Sequence, residues 1–392
     1  MPSRSQTLSQ PLLHTPLHAA HVTAGGRMVA FGGYDMPVQY PLGVLGEHRW
    51  TREHAGLFDV SHMGPSFLGL ITRTGDGEVD HKAISAVIEP LVSGDIAGLK
   101  PGQIRYTVLL NDKGGIDDDL MIGRPAHPDR QGELYVVVNA GTKLADFARI
   151  EAAAHGVAEL QRADDGGLIA VQGPEAVGVV AKLWPAAADQ LFMTFAMYAY
   201  GTDTVVVSRS GYTGEDGYEI LVPREAAERL WTELSADERG KPVGLGARDS
   251  LRLEAGLPLY GHDLDDTVSP VEASLNFAIS KRRRTAGNLL GAERIEAELE
   301  GHVERVRVGL KVLTGAPARE GAEIADNGHV IGRVTSGGFS PTLGVPIAMG
   351  FVPPQYRAVG TAVQVLVRGK PLLAHVVPLP FVPNRYVRKT PA

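Results

Sequence analysis

Apolar and polar positions alternate in short runs along this chain, and turns marked by glycine and proline separate the runs. Tyr106-Thr-Val-Leu-Leu110 reads as a strand ending at the turn Asn111-Asp-Lys-Gly-Gly115, and Leu120-Met-Ile122 lies on the strand that returns, so the pair predicts a hairpin. The returning strand begins with three carboxylates, Asp117, Asp118 and Asp119. Adjacent like charges repel, so at least one of them belongs in a site that tolerates charge or uses it.

The same alternation extends to both sides. Upstream come a short helical stretch from Thr15-Pro-Leu-His18, a strand Arg27-Met-Val-Ala-Phe31 running into a loop Gly32–Tyr40, helical spacing over Leu42–His54 and a helix near Val79. Downstream, Glu133-Leu-Tyr-Val-Val-Val-Asn139 is strand-like and a helix starts at Thr142. Leu168–Gln172, Thr204–Arg209 and Tyr218–Val222 predict further strands, followed by a helix over Arg224–Leu234. Two α+β layers in tandem account for this order. Beyond a helix around Leu289–Glu300 the character changes: Val306–Val312 and Thr361–Val367 alternate strictly, with turn signals at Asp326-Asn-Gly328 and Gly337-Gly338. An all-β barrel or sandwich beginning near residue 303 is expected there.

A length of 392 residues suits two or three domains, and 44% hydrophobic residues with 47 glycines and 26 prolines describe a folded, turn-rich protein. The net charge of −7 provides no positive field for nucleic acid. Lys281-Arg-Arg-Arg284 is the one basic cluster; it reads as a solvated run beside a helix, with an acidic protein partner as the other use of such a patch. The absence of cysteine removes disulfides, a thiolate nucleophile, cysteine-held zinc and iron–sulfur chemistry, so any sulfur in the reaction belongs to a substrate. No apolar run approaches membrane-spanning length, and the expected location is cytoplasmic. Met1–Gln10, with Arg4 and several serines, is short for a transit peptide and reads as a frayed terminus. His48, His54 and His62 lack metal-ligand spacing, so structural roles and no metal are expected.

Candidate chemistry concentrates on few residues. Ser210–Glu219 holds three glycines, two tyrosines and three acids; it lacks the lysine of a phosphate loop, and its acids would repel phosphate. Gly244-Leu-Gly-Ala-Arg-Asp249 has too few glycines for a dinucleotide fingerprint and introduces a helical run instead. A carboxylate such as Glu219 accepts two parallel N–H donors, which is what a flat heterocycle with an amino group beside a ring N–H presents. Arg248 at a helix start suits an anionic tail. With Tyr106, Tyr212 and one acid of the turn, these residues fit a planar, amine-bearing ligand that carries carboxylates. Asn139, ending its apolar strand, is either a pocket residue or a turn former.

Six segments resemble the glycine cleavage T-protein family of aminomethyltransferases: Met36–Tyr40, Phe58–Gly64, Asn111–Leu120, Ser208–Glu219, Gly244–Glu254 and Thr335–Gly344. They occur in order over nearly the whole chain. The resemblance implies an α+β protein of three domains arranged like a clover leaf, two with antiparallel sheet plus helices and the third a C-terminal β-barrel. Its implied boundaries are 1–55 with 155–255, 56–154 with 256–300, and 303–392. The implied reaction takes the methylene carbon of aminomethyl-dihydrolipoyl H-protein to tetrahydrofolate, a co-substrate, and releases ammonia. Lipoylated H-protein is thus the implied partner.

By position in the motif, the acid before Leu120 corresponds to the family's key aspartate, which makes Asp119 the implied catalytic residue. Glu219 matches the acid that holds the pterin edge, while Tyr106, Asn139, Tyr212 and Arg248 match residues lining the folate pocket. Tyr386 falls where the C-terminal tail contributes, with Arg385 beside it. Three departures stand out: Asp117 adds a charge that predicts a shifted pKa at the site, Tyr34 replaces a common tryptophan, and Gly123 stands where some members carry an aromatic. Rival readings are another tetrahydrofolate-dependent demethylase or one-carbon transferase of the superfamily, or a folate-binding protein without catalysis; retention of Asp119 and Glu219 argues against the last.

Overall fold

The computed structural model describes residues 11–388 except 286 and 314, so the reading of Met1–Gln10 as a frayed terminus lies outside the described residues. The chain builds two largely antiparallel sheets backed by helices, a two-stranded pair and one closed barrel, which agrees with the expected α+β class and C-terminal β-barrel.

The predicted acidic hairpin forms. Ile104–Leu110 pairs with Ile116–Gly123, and the latter with Glu133–Val138, Gly64–Leu70 and Ala158–Arg162 follow in a five-stranded sheet. Helices Gly77–Ile88 and Lys143–Ala154 cover one face, where Leu109, Leu120, Ile122 and Val136 meet Ile84, Ile88, Phe147 and Ile150 in a dry core. Burying side chains of this kind contributes on the order of 2 kcal/mol each. The bare face carries Tyr135, Val137 and Met121 and packs on the second sheet, against Phe58, Ala170, Phe195 and Val206.

That second sheet has six strands in the order 194–200, 203–209, 217–222, 167–172, 55–59 and 240–242, the last joined in parallel. Its strands come from distant parts of the chain, on either side of the five-stranded sheet in sequence. The chain therefore leaves one sheet for the other after Asp59 and returns after Arg162. Helix Arg224–Ser235 covers the outer face with Leu230 and Trp231.

Val306–Val312, Glu323–Asp326, His329–Ser340, Val345–Val352, Ala362–Val367 and Lys370–Val377 close the barrel. The chain then runs back over the six-stranded unit: the Arg385 N–H donates to the Gly214 carbonyl at 2.8 Å, and the Phe192 N–H to the Val387 carbonyl at 2.8 Å. Among the described residues, no helix is long and apolar enough to cross a membrane.

Two local expectations are corrected. The expected loop Gly32–Tyr40 contains a strand, Tyr34–Gln39, paired with Arg27–Phe31; the turn needs left-handed backbone at two successive residues, which Gly32 and Gly33 supply at φ 56° and 84°. The expected solvated basic run is the short helix Lys281–Thr285, in which Arg283 is fully buried, donating to Asn288 Oδ1 at 2.5 Å and to the Glu89 carbonyl. Arg282 is tied to Asp95 at 2.7 Å and to Glu89, while Lys281 is an exposed charge with no such tie among the described residues. Spacing alone does not reveal that Glu89 lies opposite this helix.

Candidate functional site

The site grows from the acidic hairpin. Beyond its turn, strand geometry sends alternate side chains to opposite faces: Asp118, Leu120 and Ile122 toward the helices, Asp119 and Met121 toward the six-stranded sheet. On that side the Tyr106 hydroxyl donates to Asp119 Oδ2 at 3.0 Å, and Asn139 Nδ2 donates to Asp119 Oδ1 at 2.7 Å. Burial pushes the Asp119 carboxyl up to about 7, with help from the charge of Asp118, and the two hydrogen bonds only partly oppose this. The Tyr106 hydroxyl is raised well above its ordinary value by burial and by Asp119, so it remains a donor at neutral pH.

Asp117 does not act as expected. It is ion-paired with Arg149 and accepts from Asn111 Nδ2 at 3.1 Å, and the like charge acting on Asp119 comes from Asp118. The site acid is shifted, but burial and a different neighbour shift it. Gly123 is explained by Phe195 of the facing sheet, whose ring would lie 2.6 Å from a Cβ at that position. The Phe195 ring thus covers this strand at Gly123. At Tyr34 the hydroxyl accepts from Lys143 Nζ at 2.9 Å, a bond that an indole, having no acceptor, could not form.

Glu219 and Arg248 come from the six-stranded unit and the helix Leu245–Glu254. Glu219 accepts from Ser210 Oγ at 2.8 Å through Oε2, and Oε1 has no partner among the described residues. Arg248 lies with its guanidinium carbon 5.0 Å from the Tyr212 ring centre, and its Nη1 is buried with no partner among the described residues. Burial lowers the Arg248 pKa, and Glu219 and Tyr212 pull it back. The Tyr212 hydroxyl donates to the Pro258 carbonyl, and its pKa is raised by burial and by charges that include Asp119. Tyr106, Asp119, Asn139, Tyr212, Glu219 and Arg248 thus form one electrostatically linked group.

Tyr386 stands apart from them. Its ring stacks on Phe192 at 3.9 Å with Arg388 above it, and burial raises its hydroxyl to about 12. Arg385 reaches Glu215 at 3.5 Å. A cavity of about 270 Å³ lined by Gln103, Arg105, Phe192 and Arg388 holds none of the linked group.

Phe277 was not singled out by the sequence. It is 74% exposed and lies against Tyr106, with ring centres 5.9 Å apart, which puts an unburied aromatic beside Asp119's donor. Its only sequence signal was an aromatic in an irregular segment. His62 lies near the same group; burial, then the charges of Arg248 and Lys143, hold its imidazole down to about 4, so it is neutral at physiological pH. His48 bonds Ser250 and Glu254, and His54 bonds Glu175. Among the described residues, metal-ligand spacing occurs at His14, His18 and Asp35, where His18 already bonds Asp35 at 2.9 Å and stacks on the His14 ring.

Two α+β units, a closed barrel and a buried carboxyl with a raised pKa define a class that two family models match: the GCVT N-terminal domain over residues 17–283 and the glycine cleavage T-protein C-terminal barrel domain over 305–383. The probable mitochondrial aminomethyltransferase of Schizosaccharomyces pombe is 41% identical, with 98% of this chain and 96% of that protein covered. The mitochondrial aminomethyltransferase of Canis lupus familiaris is 44% identical over 98% of this chain and 93% of its own length. A crystal structure of the glycine cleavage system aminomethyltransferase T from Bartonella henselae superposes with a TM-score of 0.88 at 41% identity, covering 96% of this chain and all of that one. The chain belongs to the glycine cleavage T-protein family, the aminomethyltransferases.

Proposed function

We propose that the chain moves the methylene carbon of an aminomethyl group, carried as a thioether on the dihydrolipoyl arm of H-protein, to tetrahydrofolate. The observation carrying this reading is Asp119, a carboxylate held by Tyr106 and Asn139 in a largely enclosed place. The residues present suit the folate. Glu219 would accept the amino and ring N–H donors of a pterin, and Arg248, whose Nη1 has no partner among the described residues, would take a glutamate carboxylate.

In the reaction the C–N and C–S bonds of the donor break, and two folate nitrogens bond the carbon. The two N–H protons displaced from the folate leave with ammonia and with the dihydrolipoyl thiol. Positive charge develops on carbon as ammonia departs, and ionised Asp119 would stabilise it, having been oriented before the reaction starts. Tyr106 and Asn139 hold that orientation.

Incubation with aminomethyl-lipoyl H-protein and tetrahydrofolate is expected to yield ammonia and methylene-tetrahydrofolate in equal amounts. Release of the carbon from sarcosine but not from the protein carrier would overturn the reading in favour of the demethylase class.

A further inference from the structure

Phe277, at 74%, is the most exposed large apolar side chain among the described residues, and the chain around it holds it there. It sits in the single helical turn Asn276–Ala278, between Leu275 on one side and Ala278 and Ile279 on the other, all three buried. Ser93 ties this turn down: its Oγ donates to the Ala278 carbonyl at 2.9 Å, and its carbonyl accepts from the Ser280 N–H at 3.3 Å. Arg307 ties the preceding segment to the barrel. Its N–H donates to the Glu272 carbonyl at 2.8 Å, its Nε to the Ala273 carbonyl at 2.9 Å, and its carbonyl accepts from Ser274 Oγ at 3.2 Å. Ser274 has left-handed backbone at φ 59°, a conformation that a non-glycine residue keeps only where its surroundings fix it. The backbone under Phe277 is thus held from both ends, with its apolar neighbours in the core and its own ring left in water.

Tyr106 joins this ring to the acid. Its own ring meets Phe277 with 5.9 Å between centres and 30° between planes, and its hydroxyl donates to Asp119 Oδ2 at 3.0 Å. Glu219 and Arg248, the groups that suit the folate, belong to strand Gly217–Val222 and helix Leu245–Glu254, whereas Phe277 belongs to the linker that leads to the barrel. Four residues further along that linker Lys281 stands exposed, a cation suited to an acidic carrier.

We propose that Phe277 is a binding residue for the aminomethyl donor: its ring receives the thioether and alkyl part of the dihydrolipoyl arm as the arm comes in from solvent and brings its methylene carbon to Asp119. This rests on the reading that the donor is such an arm. The arm's chemistry suits the ring. A thioether sulfur is polarisable and packs favourably against an aromatic ring, an alkyl chain gains by leaving water, and a protonated amine is drawn to a ring face. The carrier is a protein and stays outside, so its arm reaches Asp119 from the exposed side, where Phe277 is the large apolar group in contact with the acid's tyrosine.

The test is Phe277→Ala, whose melting temperature should match the parent's because the side chain is exposed. In single turnovers with saturating tetrahydrofolate, the half-saturating concentration of free aminomethyl-dihydrolipoamide is expected to rise roughly tenfold, the loss of about one aromatic contact, and that of aminomethyl-lipoyl H-protein should rise with it. The limiting rate should stay within roughly threefold, and so should the Kd of tetrahydrofolate read by calorimetry. Phe277→Tyr, which keeps the ring, should restore the parent values for both donors. An unmoved half-saturation in Phe277→Ala overturns the proposal. A loss that falls on tetrahydrofolate affinity instead also overturns it and assigns the ring to the folate. If the parent itself releases no ammonia from either donor, the reading of the donor fails and this proposal with it; transfer by the parent with no change in the variant rejects Phe277 alone.

Discussion

Arg52 and Glu254 meet at 2.8 Å where the helices Gly43–Glu53 and Leu245–Glu254 face the barrel, and Glu254 is wholly shielded from solvent. The same carboxylate accepts from Ser340 Oγ at 2.5 Å, from the Thr342 N–H at 2.9 Å and from His48 Nε2 at 3.1 Å. One buried anion therefore fastens the helices Gly43–Glu53 and Leu245–Glu254 to the barrel, and its removal would leave several donors unpaired.

Burial alone would raise the Glu254 pKa, but hydrogen bonds and charge from His48, with Ser340 and Thr342, hold it down to about 2. Because the folded value lies below the unfolded one, its stabilisation is complete above pH ~4.5 and is lost as pH falls toward 2. The shift corresponds to about 3 kcal/mol. Glu254→Gln is expected to lower the unfolding free energy extrapolated from urea melts at pH 7 by an amount of that order, shifting the midpoint down, and to flatten its pH dependence between pH 5 and pH 3. An unchanged midpoint at pH 7 would show that the carboxylate does not bear this load.

Asp119 has the opposite sign. Its folded pKa, about 7, exceeds the ordinary value of 3.8, so folding is penalised as pH rises from about 4 to 7. Asp119→Asn should raise stability at pH 8 by roughly 1 to 2 kcal/mol, allowing for partial solvent access, and leave it unchanged at pH 4. Turnover should be lost while tetrahydrofolate affinity, read by calorimetry, stays within a few fold. A variant that is less stable at pH 8 would contradict the raised pKa.

For Glu219→Gln we expect tetrahydrofolate to bind roughly tenfold more weakly, since the amide turns one acceptor into a donor facing an N–H. Ser210 already holds Oε2, so rotation of the amide cannot restore both acceptors. Equal affinity in the same titration would remove Glu219 from the pterin site.

The basic helix divides into structural and free charges. Arg283→Met should cost about 3 kcal/mol, because it strips donors from Asn288 and the Glu89 carbonyl in a buried place. Lys281→Glu should leave the melting temperature unchanged, since Lys281 is exposed. If an acidic carrier docks here, the Lys281 variant slows transfer from H-protein but not from free lipoamide. Equal rates with H-protein would remove this face from carrier docking.

Local pattern in the chain was enough for the hairpin of Tyr106 and Asp119, the helix after Asn139, and the late barrel, because strand alternation and turn residues act over a few positions. It was not enough for Tyr34–Gln39, whose proline and polar residues look irregular until the Gly32-Gly33 turn folds the segment against Arg27–Phe31. Nor did it reveal Phe277 beside Tyr106, a contact between residues 171 positions apart (277 − 106). The motifs singled out Asp119 among three acids by its place before Leu120, while the structure supplies what holds and shifts it.

The sequence by itself determined most of the element types, the class, the lack of any cysteine, and the presence of three carboxylates at one turn, all of which depend on residue identity and short-range geometry. Tertiary structure decided what each charge does. Asp117 meets Arg149, Asp118 meets Asn139, Asp119 meets Tyr106, and Arg283 is drawn out of the solvent where its spacing had placed it. Ionisation and burial depend on the groups that other elements bring within a few ångströms, and those neighbours exist only once distant strands and helices have packed together.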